Sequence, residues 1–359
     1  MFSHESLKIF CIQIFLKIGC PQDHAEVAAD VLISADLRGV DSHGVLKLPG
    51  YVRLWEVGRV NAKPNIKIVH ETPSTASVDG DSGLGLVVAP LVMKMAVEKA
   101  EAAGSGWMSV KNSNHFGIAG YHAMMALKHD MVGIAMTNAS AHAAPTFSAE
   151  RLLGTNPIAV AIPAGQEPPF VADLATTPVA HGKLVLRQRK GESLPLGWAQ
   201  DANGNPTTNA FATHEGGALV PLGSDREHGS HKGYCLGAIV DIFSAMLSGA
   251  NYGPWVPPFP AHLPIPEGSV GEGIGHFLGA FRIDAFRPAE EFKSHMDTWI
   301  RRFRDAKPAE GHDRVYIPGD PERETAEQRK VDGIHLMDSV IEDLKKLSKK
   351  FGIKFPHSN

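Results

Sequence analysis

Between residues 83 and 177 the sequence changes its hydrophobic period again and again, and this alternation limits the fold more than any other feature. "GLGLVVAPLVMKMAVEKAEAAG" has the length and composition of a strong helix. Four short apolar runs follow, "GWMSVKN", "MVGIAMTN", "PIAVAIPA" and "PFVADLAT", each closed by polar or turn-forming residues. Helical periods and short strand-length runs that alternate in this way predict helices layered on a sheet. Upstream, "IKIVHETPSTASVDG" changes to β-branched residues and turn formers and predicts further strands. Downstream, "GHFLGAFRIDAF" predicts another strand, and "AEEFKSHMDTWIRRFRDA" an amphipathic helix. A long helix is expected from Lys232 to Leu247. The "GKLVLRQRKGESLPLGWAQDANGNPTT" stretch reads as a turn-rich excursion with a hairpin near Asn203, and "GPWVPPFPAHLPIPEG" as an irregular surface or subunit-contact segment. The last ~35 residues look helical, charged and peripheral.

Composition narrows the partners. In 359 residues, 35 Lys+Arg balance 39 Asp+Glu, so no basic field attracts nucleic acid or an anionic membrane. A small molecule is the expected ligand. Cys11, Cys20 and Cys235 are too scattered for a disulfide framework or a thiolate zinc site, and predict reduced thiols in a cytoplasmic protein. The apolar N-terminus is broken by Lys8 and Lys17. Leu7, Phe10, Cys11, Ile14, Phe15 and Ile18 recur at helical spacing, which predicts an amphipathic helix and not a signal segment. No apolar run has transmembrane length, so the chain is expected to be soluble.

Familiar signatures are missing. "GDSGLGLVV" and "GEGIGHFLG" place Val88 and Leu278 where the third glycine of a Rossmann fingerprint belongs. There is no P-loop, no H-E-x-x-H and no G-x-S-x-G, and no metal is expected. Two polar clusters remain. In "DLRGVDSHGVLKLPGYVR", His43, Lys47 and Tyr51 share one face if the chain turns helical after Gly44, with Pro49 requiring the helix to begin near Leu48. Ser42 is equally readable as a helix cap and His43 as a solvated first-turn residue. In "KNSNHFGIAGYH", Asn114 and His115 end an apolar run where α/β proteins place their sites, or else form a satisfied turn. "TNASAH" and "VADLATT" end two more runs in the same manner.

Taken in order, "ADLRGVDSHGVLKLPGYV", "NSNHFGIAGYHAM", "LLGTNPIAVAIPA", "GWAQDANGNPTTNA", "HKGYCLGAIVDIFSAMLSGA" and "RVYIPGDPE" make the chain resemble the type 2 malate/L-lactate dehydrogenase family. The resemblance runs from about Leu7 to about Leu336. It implies an α/β protein with a non-Rossmann, mixed-sheet NAD(P)-binding domain and a helical domain built from both ends of the chain. Residues 1–70 would form the helical part of the substrate and dimer domain, 71–250 the nucleotide-binding domain, and 251–359 a segment returning to the first. The implied function is hydride transfer between NAD or NADP and a small 2-hydroxy or 2-oxo carboxylate, with malate the first expectation. L-lactate, ureidoglycolate or sulfolactate oxidation, imino-acid reduction and an inactive ligand-binding relative are the alternatives. A homodimer is implied.

The same resemblance puts proton transfer on His43 or His115, and substrate contacts on Ser42, Lys47, Tyr51 and Asn114. Cofactor contacts fall on Ser140, Asp173, Leu174, Ala175, Lys232, Gly319, Asp320 and Pro321. Lys47 stands where the family usually has arginine, and Asp320 where it has glutamate. The Gly-Gly expected before "GTNP" is replaced around Phe147-Ser148, and "SDREHGS" lengthens the loop before Lys232.

Overall fold

The computed structural model describes residues 1–357. Two helices open the chain, α1 (His4–Lys17) and α2 (Gln22–Leu37), and α3 (Leu48–Glu56) follows two short 3-10 turns at Asp41–His43 and Val45–Lys47. Pro49 sits in the first turn of α3, where its missing N–H has no intrahelical partner to lose. All six apolar residues singled out in the first helix are buried.

A seven-stranded mixed sheet forms the body. It comprises β1 (Lys67–Glu71), β2 (Thr75–Asp79), β3 (Ser105–Ser113), β4 (Met131–Thr137), β5 (Ile158–Ile162), β6 (Phe170–Leu174) and, from far downstream, β10 (Ile274–Arg282), in the order β1-β2-β3-β10-β4-β5-β6. Only β2 and β3 run parallel, joined by the 19-residue helix α4 (Gly85–Ala103), as a parallel pair requires. The other pairs are antiparallel. This is not the parallel, doubly wound sheet that a Rossmann glycine fingerprint serves, so the missing third glycine has a structural counterpart.

The short helix α5 (Ala119–Met124) follows β3. Beyond β6 come α6 (His181–Lys190) and a small sheet of β7 (Ala199–Gln200), β8 (Pro206–Thr207) and β9 (Ala218–Leu219). The expected hairpin is the β7–β8 pair, held by Asp201 accepting from Asn203 N and Asn205 N at 2.9 Å each. Residues 181–190 are helical, however, and not the start of a turn-rich stretch. The turn formers begin only at Gly191, and of the apolar run Leu184, Val185 and Leu186 it is Leu184 that is buried and anchors this helix.

The helix expected over Lys232–Leu247 is α7 (Ser230–Asp241), followed by one π-helical turn over Ile242–Met246. At the junction the Asp241 carboxylate faces inward and accepts from Asn138 Nδ2 at 2.9 Å and Gly253 N at 2.8 Å. Three helices complete the chain: α8 (Ala289–Arg304), α9 (Asp320–Asp332) and α10 (Asp338–Phe351). α10 is not peripheral. Val340, Leu344 and Leu347 are buried in the cluster that holds Phe10, Ile14, Leu32 and Leu48, while its lysines form the charged outer face that dominates the sequence. Among the described residues no helix is long and apolar enough to cross a membrane.

Candidate active site

The Ser42-His43-Gly44 turn is built from behind. Asp36, buried at the end of α2, accepts the Val45 N–H at 2.8 Å, and its Oδ1 lies 1.9 Å from where a Gly44 Cβ would stand. Any side chain at Gly44 would displace that carboxyl. Burial raises the Asp36 pKa to about 8. Arg329 of α9 donates to the Asp36 carbonyl and the Asp41 carboxylate, which pins the turn from the C-terminal side. Ser42 makes no cap bond. Its hydroxyl lies 2.9 Å from His43 Nδ1.

His115 reaches the same place from the end of β3. Gly85 opens α4 against this segment so closely that a Cβ there would lie 2.0 Å from the Asn114 carbonyl oxygen. The Asn114 amide nitrogen donates to the carbonyls of Ser82 and Gly83, both at 3.0 Å, and of Arg59 at 3.3 Å. Its donors are therefore spent bracing the backbone next to His115.

The rings of His43 and His115 stack with centroids 5.4 Å apart. Tyr51, wholly buried on α3, places its hydroxyl 2.6 Å from His115 Nδ1, and Gly117 N–H donates to the same nitrogen at 3.3 Å. A backbone donor can meet Nδ1 only where the nitrogen carries no proton, so in this arrangement the ring proton sits on Nε2. Burial, then the neighbouring His43, Lys47 and His276, hold the His115 pKa well below 6.5. His43 is lowered to about 4 by burial and Lys47. Both imidazoles are neutral near neutral pH.

Lys47, whose own pKa is lowered by burial, has no carboxylate partner among the described residues. Its Nζ lies 4.8 Å from the centroid of Phe259, an attraction typically worth ~0.5–2 kcal/mol. Phe259 also packs on Tyr51 at 5.1 Å and His115 at 5.0 Å. It comes from the proline-rich segment, tied down where Arg59 Nη2 donates to the Pro258 carbonyl at 2.5 Å. Nothing in the local pattern of that segment marks Phe259 as a site residue.

Ser42, His43, Lys47, Tyr51 and His115 thus converge. The remaining residues singled out have surroundings of their own. Ser140 follows β4, 3.3 Å from His142 Nε2. Asp173 and Leu174 end β6 and Ala175 follows it; Asp173 Oδ2 accepts from Gly120 N at 2.7 Å, and burial of its carboxyl raises the pKa to about 6 although the residue's outer surface is open. Lys232 is exposed in the first turn of α7. Gly319, with φ of 98°, lets the chain pass Val171 of β6, with Pro321 at the start of α9. The Asp320 carboxylate is engaged within the protein, accepting from Ile317 N at 3.0 Å and from Arg304 and Arg323. Phe147, in place of the expected glycine, has a φ of 71° and is 88% exposed. Two histidines not singled out, His142 and His181, stack at 4.4 Å beside this group. The end-of-strand "TNASAH" pattern was the one sequence signal for the first of them.

The arrangement offers an unpaired cation beside two neutral imidazoles, the chemistry needed to hold an anionic carbonyl compound and move a proton. The chain is 41% identical to malate dehydrogenase of Pyrococcus abyssi over 98% of its own length and 94% of the relative's. It is 37% identical to L-sulfolactate dehydrogenase of Methanocaldococcus jannaschii over 97% and 96%. The crystal structure of malate dehydrogenase from Entamoeba histolytica superposes with a TM-score of 0.92 at 36% identity, covering 99% of both chains. The family model for malate/L-lactate dehydrogenase matches residues 2–345. The chain belongs to the malate/L-lactate dehydrogenase family, whose members oxidise hydroxy acids with NAD(P).

Proposed function

We propose that this enzyme interconverts malate and oxaloacetate and that His115 moves the proton. The observation that carries the reading is the Lys47–His43–His115 group, a half-buried positive site with no acid partner for Lys47 among the described residues. Lys47 binds the substrate's 1-carboxylate as a point charge, without the planar fork of an arginine. Phe259 and Tyr51 wall the site and exclude water from His115. When the oxo acid binds, His115 takes up a proton and, as the imidazolium, donates from Nε2 to the carbonyl oxygen and returns to the neutral ring. The Tyr51 hydroxyl then accepts from Nδ1 in place of the long Gly117 contact, so Nε2 is left bare as the base that takes the proton back from the hydroxy acid. A bound carboxylate offsets the Lys47 field that lowers the His115 pKa.

The nicotinamide, when bound, gives or takes hydride at the carbon bearing the substrate oxygen. The residues for it fit a dinucleotide. The N-terminus of α7 has no side-chain cap and carries Lys232, which has no acid partner among the described residues, a combination that favours a pyrophosphate. Asp173 has a second carboxylate oxygen for ribose hydroxyls, and Ser140, Leu174, Ala175 and the backbone at Gly319–Pro321 line the remainder. Asp320 keeps that last turn in shape.

Exposed Leu236, Ile239, Phe243, Met246 and Leu247 on α7 and its π-turn support a homodimer. The buried free thiols Cys11 and Cys20 support a cytoplasmic enzyme. The test is a panel of oxaloacetate, pyruvate, sulfopyruvate and Δ1-piperideine-2-carboxylate, each with NADH and NADPH, followed by nicotinamide absorbance. Oxaloacetate is expected to have the highest kcat/KM. Faster turnover of any other compound overturns the malate assignment, and tight NADH binding with no turnover at all favours an inactive relative.

A further inference from the structure

Building on the malate reading, we propose that His142 and His181 bind the second, distal acidic group of the substrate and so select a dicarboxylate over a monocarboxylate. The two imidazoles stack with centroids 4.4 Å apart and planes 15° from parallel. One comes from the loop after β4, the other is the first residue of α6, and no carboxylate pairs with either among the described residues.

Three observations point to a missing anion. The first is local: His142 Nε2 lies 3.3 Å from Ser140 Oγ, while Nδ1 is buried with no partner. With the serine donating, the ring proton sits on Nδ1, and a buried donor without an acceptor is costly. The second is electrostatic. Burial lowers His142 to about 3 and His181 to about 4, and Lys47 and Arg151 both add to the depression. Arg151 is held by carbonyls, Nε to Gly217 at 2.7 Å and Nη2 to Thr213 at 2.5 Å, and no acid pairs with it among the described residues. Two neutral N–H donors in an uncompensated positive field are suited to an anionic oxygen.

The third is placement. A Cβ on Gly182 would stand 3.2 Å from Ser42 Cβ, so the start of α6 adjoins the turn that carries His43. The first turn of α6, which His181 opens, also lacks a side-chain cap, so the positive end of the helix dipole adds to the field at the pair. The near carboxylate on Lys47 and the far one on the histidine pair would then lie on one wall. Pyruvate leaves the pair empty, whereas oxaloacetate and sulfopyruvate both fill it.

The experiment compares kcat/KM for oxaloacetate, sulfopyruvate and pyruvate in the wild type, in His142→Leu and His181→Leu, and in His142→Gln and His181→Gln, which keep an N–H donor. Thermal unfolding midpoints check that each variant is folded. The oxaloacetate-to-pyruvate ratio is expected to fall about ten-fold or more in the leucine variants and to recover in part with glutamine. An unchanged ratio, or equal loss on both substrates, overturns the proposal. A wild type that uses sulfopyruvate and not oxaloacetate, with the same selective loss in the variants, supports the histidine pair and refutes malate. A wild type that prefers pyruvate refutes both.

Discussion

Phe116 follows His115 in the chain and is clamped between two buried imidazoles, His122 at 4.5 Å and His276 at 4.8 Å. His276 bridges strands, with Nδ1 2.7 Å from Thr137 Oγ1 and Nε2 2.8 Å from Ser113 Oγ, while His122 Nε2 donates to the Phe116 carbonyl at 2.9 Å. Burial lowers His276 to about 3 and His122 to about 4, against 6.5 for an unburied histidine. In acid the unfolded chain therefore takes up protons that the folded one refuses. The stability these groups allow is complete above 6.5 and is lost progressively as pH falls from there toward their folded values. Between pH 7 and pH 5 the loss comes to about 2 kcal/mol for each imidazole. Asp36 and Asp173, with raised pKa values, act in the opposite direction over part of this range, so the informative quantity is a difference between proteins. Urea unfolding followed by tryptophan fluorescence at the two pH values, on the wild type and His276→Gln, isolates it. The wild type is expected to lose about 2 kcal/mol more than the variant on acidification. Equal losses would refute the assignment of His276 as a neutral buried clamp.

Three substitutions test other parts of the account. Tyr51→Phe removes the hydroxyl that orients His115 and should lower kcat about ten-fold, roughly the worth of one hydrogen bond, with a small loss of thermal stability. Lys47→Met should raise KM about 10- to 100-fold for oxaloacetate and pyruvate alike, because both present the same near carboxylate; steady-state kinetics on the two substrates checks this. Phe147→Gly relieves a left-handed residue whose exposed ring packs on little, and should stabilise the fold by about 1 kcal/mol in the same urea titration.

Much of this architecture is legible in the sequence because the signals are local. Each of the four short apolar runs after α4 became a strand, and Pro49 located the start of α3 at Leu48. The elements that escaped are those whose stability comes from elsewhere in the chain. α6 carries its apolar residues as one consecutive run, Leu184 to Leu186, of which Leu184 is buried, so its periodicity is faint. α10 reads as a solvated tail because its lysines outnumber the three residues that fix it to the core. Local reading left Ser42 open between a cap and a site residue, and His43 between a solvated residue and a catalyst. The structure explains why the turn serves another purpose: Asp36, nine residues from Val45, takes the backbone donor that a cap would have served. Phe259 and the His142–His181 stack are contacts between distant segments, and no spacing rule brings them together.

The central claim is that His115, held by Tyr51 and Gly117, transfers the proton while Lys47 holds the carboxylate. The most direct measurement is the kcat for oxaloacetate reduction in His115→Ala and His43→Ala, each checked for a native circular dichroism spectrum. His115→Ala is expected to lose about 100- to 10,000-fold, the usual worth of a general acid, and His43→Ala substantially less. Undiminished turnover in a folded His115→Ala, or a loss confined to His43→Ala, would contradict it.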